Sequence, residues 1–368
     1  MRADEADRRR LSDLFVELCR IESPSGREAD CGARVRAELE GLGLGAEVDD
    51  AGNVFARIAG PGDPSVMLCA HLDTVRLEAP VEPVLVDGGW ENANDGILGA
   101  DNKAAVAMLL AIAHRATTAP PPIGVELLFT VSEEVGLVGA QAFDASALRS
   151  PFGYVFDHAT PIGEIVLAAP TYYRLDFDFH GAAAHAGIRP ERGRSAISAA
   201  AAAVAAMRLG RLDEETTANV GRIAGGGEST NVVPEHARVE AEARSLDSAK
   251  AEAVVAEMVD HAQDGANAFE CDVDVAVQRL WPGYRLRPSA PAIEVAEAAL
   301  RAARYEPRHI VTGGGSDANA FNAAGFSCVN LANGTERNHE PGERVSVAAL
   351  EGMLDVTLAL LDEAAARC

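Results

Sequence analysis

The sequence predicts an α/β domain, a mixed sheet flanked by helices, interrupted by an inserted α+β domain of ferredoxin-like order. Three observations lead there. The chain has 368 residues, 48% of them hydrophobic, which is more than one ordinary compact core needs and enough to bury two. Short apolar runs alternate with helical patterns as far as Phe156, the texture of strands joined by crossover helices. From Pro170 the strands become period-two with one polar face, and after Trp281 the first texture returns. The expected division is residues 1–168 with 282–368, and an insertion at 169–281.

The elements follow in order. Leu11 to Cys19 reads as an amphipathic helix, stopped by the turn residues Glu22-Ser23-Pro24-Ser25-Gly26 before a second helix, Glu28 to Leu42. Asn53 to Ile58 and Ser65 to Ala70 fit strands, the second fully buried because Val66, Met67, Leu68 and Cys69 are consecutive. Asp101 to Arg115 is a helix whose apolar face is Ala104, Ala105, Met108, Leu109 and Ile112. Ile123 to Val131 and Tyr154 to Phe156 are further strands. In the insertion, Tyr172 to Phe179 alternates Tyr173, Leu175, Phe177 and Phe179 against Arg174, Asp176 and Asp178. A helix at Ser195 to Met207, strands at Asn219 to Ile223 and Ala237 to Ala243, a helix at Ser248 to Gln263 and a strand at Cys271 to Gln278 complete a βαββαβ unit. Helices at Ala292 to Ala303 and Ala348 to Ala366 close the chain.

Composition removes several function classes. A formal charge of -24, with lysine only at Lys103 and Lys250, argues against a nucleic-acid partner, which needs a concentrated basic surface. The acidity reads as solvated surface. The six cysteines, Cys19, Cys31, Cys69, Cys271, Cys328 and Cys368, form no C-x-x-C pair, so the expectation is reduced thiols in a cytoplasmic protein. Met1 to Arg10 is charged and lacks an apolar core, and no apolar run is long enough for a membrane span.

The chemistry concentrates in His71, Asp101, Glu133, Glu134, Asp157 and His339. His71 ends an apolar strand and Asp73 follows two residues on. Residues i and i+2 of an extended segment face the same way, so Asp73 can hold the far nitrogen of His71, the usual support of a zinc histidine. Taken alone, a histidine at a strand end reads as a hydrogen-bonded structural residue. Asp101 opens a helix and reads either as an N-cap or as a metal carboxylate kept ionised by the helix N-terminus. The buried strand Leu127-Leu128-Phe129-Thr130-Val131 delivers Glu133 and Glu134, whose differing directions let one bind metal while the other holds a proton. Asp157 ends the strand Tyr154-Val155-Phe156, with Glu164 seven residues on as the alternative carboxylate, and His339 lies in a polar loop. Together, two imidazoles and three carboxylates suit a pair of Zn2+ ions, with Co2+ or Mn2+ admissible. A water bridging such ions becomes hydroxide near neutral pH, which implies hydrolysis.

The order and context of these residues resemble the co-catalytic zinc exopeptidases, the family of tripeptidase T, the glutamate carboxypeptidases, the N-acylamino-acid hydrolases and succinyl-diaminopimelate desuccinylase. The matching segments are Ala70-His71-Leu72-Asp73-Thr74-Val75, Gly99-Ala100-Asp101-Asn102-Lys103, Ser132-Glu133-Glu134-Val135-Gly136, Gly181 to Gly187 and Gly313-Gly314-Gly315-Ser316-Asp317, in the family's order along nearly the whole chain. The resemblance implies that Asp101 bridges two zincs, that His71 and Asp157 complete one site, and that Glu134 and His339 complete the other. It implies Glu133 as general base, Asp73 as the group orienting His71, and a cis peptide between Asp101 and Asn102. The insertion becomes a lid and dimerisation domain, with His185 reaching the partner subunit's site to stabilise an oxyanion and with Asn231, Arg244 and Gly314 contacting substrate. No G-K-[ST] follows the Gly313 to Gly315 run, so a phosphate loop is the poorer reading. Asp at 157 is similar to tripeptidase T and related aminopeptidases, which implies short peptides as substrates, although the chain looks shorter than a typical tripeptidase T. The alternative is an amidohydrolase acting on N-acylamino acids or a related small amide. A non-catalytic metal-binding protein on the same scaffold fits poorly with an intact base and ligand set.

Overall fold

The computed structural model describes residues 2–367, so Cys368 lies outside the described residues. The chain separates into two compact units. The first gathers the chain up to Ala168, Arg285–Val311 and the segment from Ser316 onward; the second is Ala169–Tyr284 with Thr312–Gly315.

In the first unit a nine-stranded mixed sheet forms around two strands, Ser65–His71 and Gly124–Thr130, every residue of which is buried. They run parallel with Ser65 opposite Gly124 and His71 opposite Thr130. Burial on both faces explains their unbroken apolar runs. Phe152–His158 lies parallel on the other side of Ser65–His71, and Ser327–Ala332 lies parallel beyond it. Four neighbouring parallel strands therefore end on the same edge, where open α/β sheets place ligands. One buried charge interrupts the pattern at the opposite end. Glu126 accepts hydrogen bonds from Arg57 Nε (3.0 Å), the Ser150 hydroxyl (2.6 Å) and the backbone N–H groups of Arg149 and Ser150 (3.0 and 2.9 Å), so its carboxylate is satisfied without a ligand. The helix Ala100–Thr118 is buried continuously from Ala100 to Ala113 and packs on the sheet, sharing one hydrophobic core with the helices Glu5–Cys19, Pro291–Ala302 and Val347–Ala365.

Several elements differ from the sequence expectation. The first helix begins at Glu5, six residues before Leu11, because Asp4 and Asp7 form a capping box: Asp7 N–H donates to Asp4 Oδ1 (2.9 Å) and Asp4 N–H to Asp7 Oδ2 (3.0 Å). A hairpin of Pro83–Val86 and Gly89–Asn92 was not expected. Its Asp87-Gly88 turn, with φ of 46° and 75°, is the standard two-residue connection. Strands at Glu164–Ala169, Arg308–Val311 and Ser327–Ala332 and a short helix at Asp317–Ala323 fill the segments left unassigned.

The second unit is an antiparallel sheet in the spatial order Gly210–Arg211, Thr216–Gly225, His236–Ser245, Thr171–His180, Asp272–Trp281, with two helices, Ala196–Ala206 and Ser248–Ala268. It is a βαββαβ arrangement with one short added strand. Leu175, Phe177 and Phe179 are buried under the helices while Asp176 and Asp178 point the other way, as the alternation requires. Its core is separate from that of the first unit. Small residues set the helix contact: a Cβ on Gly265 would stand 2.7 Å from the Ala199 carbonyl and 2.8 Å from Ala203 Cβ. The five described cysteines are free and buried, and among the described residues no helix is long and apolar enough to cross a membrane. Phe177→Ala is expected to destabilise this second core by about 3–5 kcal/mol, a lower urea midpoint followed through Trp281 in a Trp90→Phe background; an unchanged midpoint would contradict the packing described.

Candidate metal centre

The strand edge holds two overlapping clusters that share Asp101. His71, Asp101 and Asp157 place their ligand atoms within 4.8 Å of one another, and so do Asp101, Glu134 and His339. His71 Nε2 lies 3.4 Å from Asp101 Oδ1 and 3.6 Å from Asp157 Oδ1, while His339 Nε2 lies 3.3 Å from Asp101 Oδ2 and 2.9 Å from Glu134 Oε1. Asp157 takes this place and Glu164 does not: Glu164 begins the next strand, 3.8 Å from Arg308. Glu133 stands with His71 and Glu134 in a third such group.

Each side chain is set by local structure. The far nitrogen of His71, Nδ1, is 3.0 Å from the carbonyl of Asp73 and 3.4 Å from its carboxylate, so Asp73 meets the ring mainly through its backbone. The Asp73 carboxylate instead accepts from the backbone N–H of Glu133 (3.0 Å) and Glu134 (3.2 Å) and from Ser25 Oγ (2.7 Å). Ser132, at φ 54°, turns the chain between the strand and the acidic pair, and Glu28 holds it by accepting from its N–H (3.0 Å) and hydroxyl (2.8 Å). Asn330 grips the Asp157 peptide from both sides, accepting from its N–H at 3.0 Å and donating to its carbonyl at 2.9 Å. Asp101 is not an N-cap. Gly99 caps the helix at φ 76°, Asp101 and Asn102 are non-helical, and the peptide between them is cis.

The electrostatics are those of crowded carboxylates. Burial, then the charge of Asp101, pushes Asp157 up to about 8. Burial and the charge of Asp157 push Glu133 well above the ordinary range. Burial works to raise Asp101 too, but the His339 and His71 rings beside it hold it well below its usual value. The carboxylates of Asp101 and Glu134 push His339 up to about 10. Buried polar atoms without partners gather here: Asp101 Oδ1, both side-chain polar atoms of Asn102, and Asn338 Oδ1, whose own Nδ2 donates to Asp101 Oδ2 at 2.8 Å. So dense a set of N and O donors, with an unsatisfied oxygen on the shared carboxylate, fits a pair of divalent cations.

Known proteins point the same way. The family model described as the peptidase dimerisation domain, M20_dimer, matches residues 171–270, and that of peptidase family M28 matches residues 53–160. The aminopeptidase PepT of Bacillus cereus is 36% identical, with 97% of this chain and 99% of that one covered at a TM-score of 0.85. A tripeptidase from Staphylococcus aureus is 31% identical, with 98% and 99% covered at a TM-score of 0.91. The chain belongs to the M20 peptidase family. That places it among hydrolases. A relative by sequence, the uncharacterised protein YqjE of Bacillus subtilis, is 34% identical over 367 residues, 97% of this chain and 99% of its own. A dinuclear metal-binding M20 peptidase from the same organism shares the fold at 18% identity and a TM-score of 0.72, with 97% and 98% covered.

The remaining expected residues of this M20 chain lie in the second unit. His185 and Asn231 are exposed neighbours, the Ala186 N–H donating to the Asn231 carbonyl at 2.8 Å. Arg244 is held on three sides: Nε and Nη2 on Glu242 (3.1 and 3.0 Å), Nη1 on the Gly313 carbonyl (3.3 Å), and its plane 4.2 Å from the Tyr172 ring centre. Gly314 N–H donates to Thr312 Oγ1 at 3.1 Å. Sequence reasoning missed Glu28, Asn330, Asn338 and Glu343. A Glu28→Ala variant leaves the Gly26 and Ser132 N–H groups without their acceptor and is expected to cost about 1–3 kcal/mol, measured by denaturant unfolding together with faster hydrogen exchange at the Ser132 amide.

Proposed function

We propose that this chain is a zinc-dependent exopeptidase of the aminopeptidase and tripeptidase kind, hydrolysing the peptide bond of short peptides in the cytosol. The observation that carries the reading is the pair of three-residue clusters sharing Asp101, with Glu133 beside them. His71, Asp101 and Asp157 would hold one ion, and Asp101, Glu134 and His339 the other. Zinc is the ion best matched to this mixture of imidazole and carboxylate donors. Bound there, a metal pair supplies Lewis acidity, lowering the pKa of water and polarising the scissile carbonyl.

The chain's own residues do the rest. Glu133 takes the proton of the attacking water and returns it to the departing amine, a task suited to a carboxylate whose proton affinity burial has raised. Asp73 fixes the ring of His71 and, through its carboxylate, the peptides that carry Glu133 and Glu134. Arg244, with its guanidinium plane fixed, and Asn231 and Gly314 would contact the substrate. The match of residues 171–270 to a peptidase dimerisation domain supports a homodimer through the second unit, with an exposed His185 donating to the oxyanion of the partner's site. Five free buried thiols agree with a reducing compartment.

Turnover of di- and tripeptides by the zinc-loaded enzyme tests the substrate class, and a panel hydrolysed only as N-acylamino acids would replace it with the amidohydrolase reading. Removal of metal by chelation is expected to abolish activity and re-addition of Zn2+ to restore it. Glu133→Ala should keep both ions by metal analysis while kcat falls roughly 10²–10⁴-fold; full activity would overturn its role. Mixing inactive Glu133→Ala and His185→Ala chains is expected to regain part of the rate, since some mixed dimers carry one intact site, and no regain counts against catalysis across subunits.

A further inference from the structure

We propose that Glu343 is a positioning residue for the shared carboxylate Asp101, freeing both Asp101 oxygens for cations by occupying the backbone donors around it. Its side chain is 1% exposed. Glu343 Oε2 accepts the N–H groups of Leu98 (2.9 Å) and Gly99 (2.8 Å), and Oε1 accepts the N–H of Asp101 itself (2.8 Å). These groups stand at the start of the helix Ala100–Thr118, where N–H groups have no partner within the helix. A capping side chain normally meets them, but Gly99 has none to offer. The one acid in the first turn is Asp101, and its carboxylate is turned towards His71 on one oxygen and His339 on the other. A second acid must therefore serve the backbone, and Glu343 does.

The placement has a second consequence. Glu343 follows His339 by four residues, through a turn in which Arg337, His339 and Gly342 adopt φ of 58°, 66° and 85°. Its three hydrogen bonds thus fasten the loop bearing one terminal ligand to the turn bearing the shared one. Loss of the carboxylate would release both together, and groups that orient metal ligands typically change affinity or activity by roughly 10–100-fold when removed.

The inference rests on the ligand set proposed above, and its test separates the two. Zn2+ affinity of the metal-stripped full-length chain is measured by competition with a chromophoric chelator, for the wild type, Glu343→Gln and Glu126→Gln. Glu126 is the control because it too is a buried carboxylate accepting two backbone N–H groups, at the far end of the sheet. The expected result is two ions in the wild type, affinity weakened by at least roughly tenfold in Glu343→Gln with a changed visible spectrum of the Co2+ form, and affinity within about twofold of wild type in Glu126→Gln. A wild type that binds no Zn2+ overturns the ligand set itself. Wild-type affinity in Glu343→Gln, or equal weakening in Glu126→Gln, overturns the role of Glu343 alone. Should Glu343→Gln fail to fold, Glu343→Asp, which retracts the same charge by one methylene, is read in its place; failure of both while Glu126→Gln folds assigns Glu343 to the fold and overturns the proposal.

Discussion

Everything at this strand edge answers one electrostatic constraint: three carboxylates, Asp101, Glu134 and Asp157, must point their oxygens into one space with a fourth, Glu133, beside them. Like charges a few ångströms apart in a poorly solvated site repel strongly, and burial first, with that repulsion added, pulls Asp157 and Glu133 upward. Side chains free to relax would turn away. The structure prevents this by carrying them on backbone that cannot move. His71 and Asp157 sit at the ends of buried parallel strands, and the peptides of Asp101 and Glu134 are clamped by further acids.

Those further acids form an outer tier with a different partner. Asp73 takes the N–H groups of Glu133 and Glu134, Glu28 those of Gly26 and Ser132, and Glu343 those of Leu98, Gly99 and Asp101. A carboxylate that accepts two or three backbone N–H bonds has its oxygens satisfied without a cation. The inner tier lacks such donors and turns instead to imidazole. The division explains how so many acids coexist: the outer ones have their oxygens satisfied by the peptide chain, which leaves the inner ones to face one another. Glu126 repeats the outer arrangement at the other end of the sheet, where no ligand follows. Backbone-satisfied acids are thus a building device of this fold, and only where they brace a loop of inner acids does a site arise.

The inner tier, apart from His339 in its polar loop, was legible in the sequence because its members follow a feature with a period. His71, Glu134 and Asp157 come at or just after apolar runs that read as buried strands, and Asp101 stands where helical periodicity begins. The period-two run from Tyr172 to Phe179 likewise announced the second unit, whose alternation of Phe177 with Asp176 and Asp178 the structure keeps. Elements without a period were missed. The strand Arg308–Val311 is four residues with two charged or polar members, and the hairpin at Pro83–Asn92 is signalled only by its Asp-Gly turn. The segment Thr312–Gly315 groups with the second unit although it lies far from it in the chain, a tertiary fact with no local pattern.

The outer tier beyond Asp73 was illegible for a deeper reason. An acid bound to backbone N–H groups leaves no complementary side chain to find, since every non-proline residue offers the same donor. Glu340 and Glu343 make the point within four residues. Both flank Pro341-Gly342, both are glutamates in a polar loop, and no periodicity distinguishes them. Yet the side chain of Glu340 is 65% exposed and that of Glu343 is buried. What separates them is the turn at Gly342, whose φ of 85° few residues other than glycine adopt readily, and the bare helix start at Leu98–Asp101 that receives the buried one. A buried acid in a polar loop is therefore best sought from the other side, by asking which helix N-termini have a glycine where a capping side chain should be. In this chain the question leads from Gly99 to Glu343, and so to the residue that meets the backbone donors around Asp101 in place of the Asp101 carboxylate.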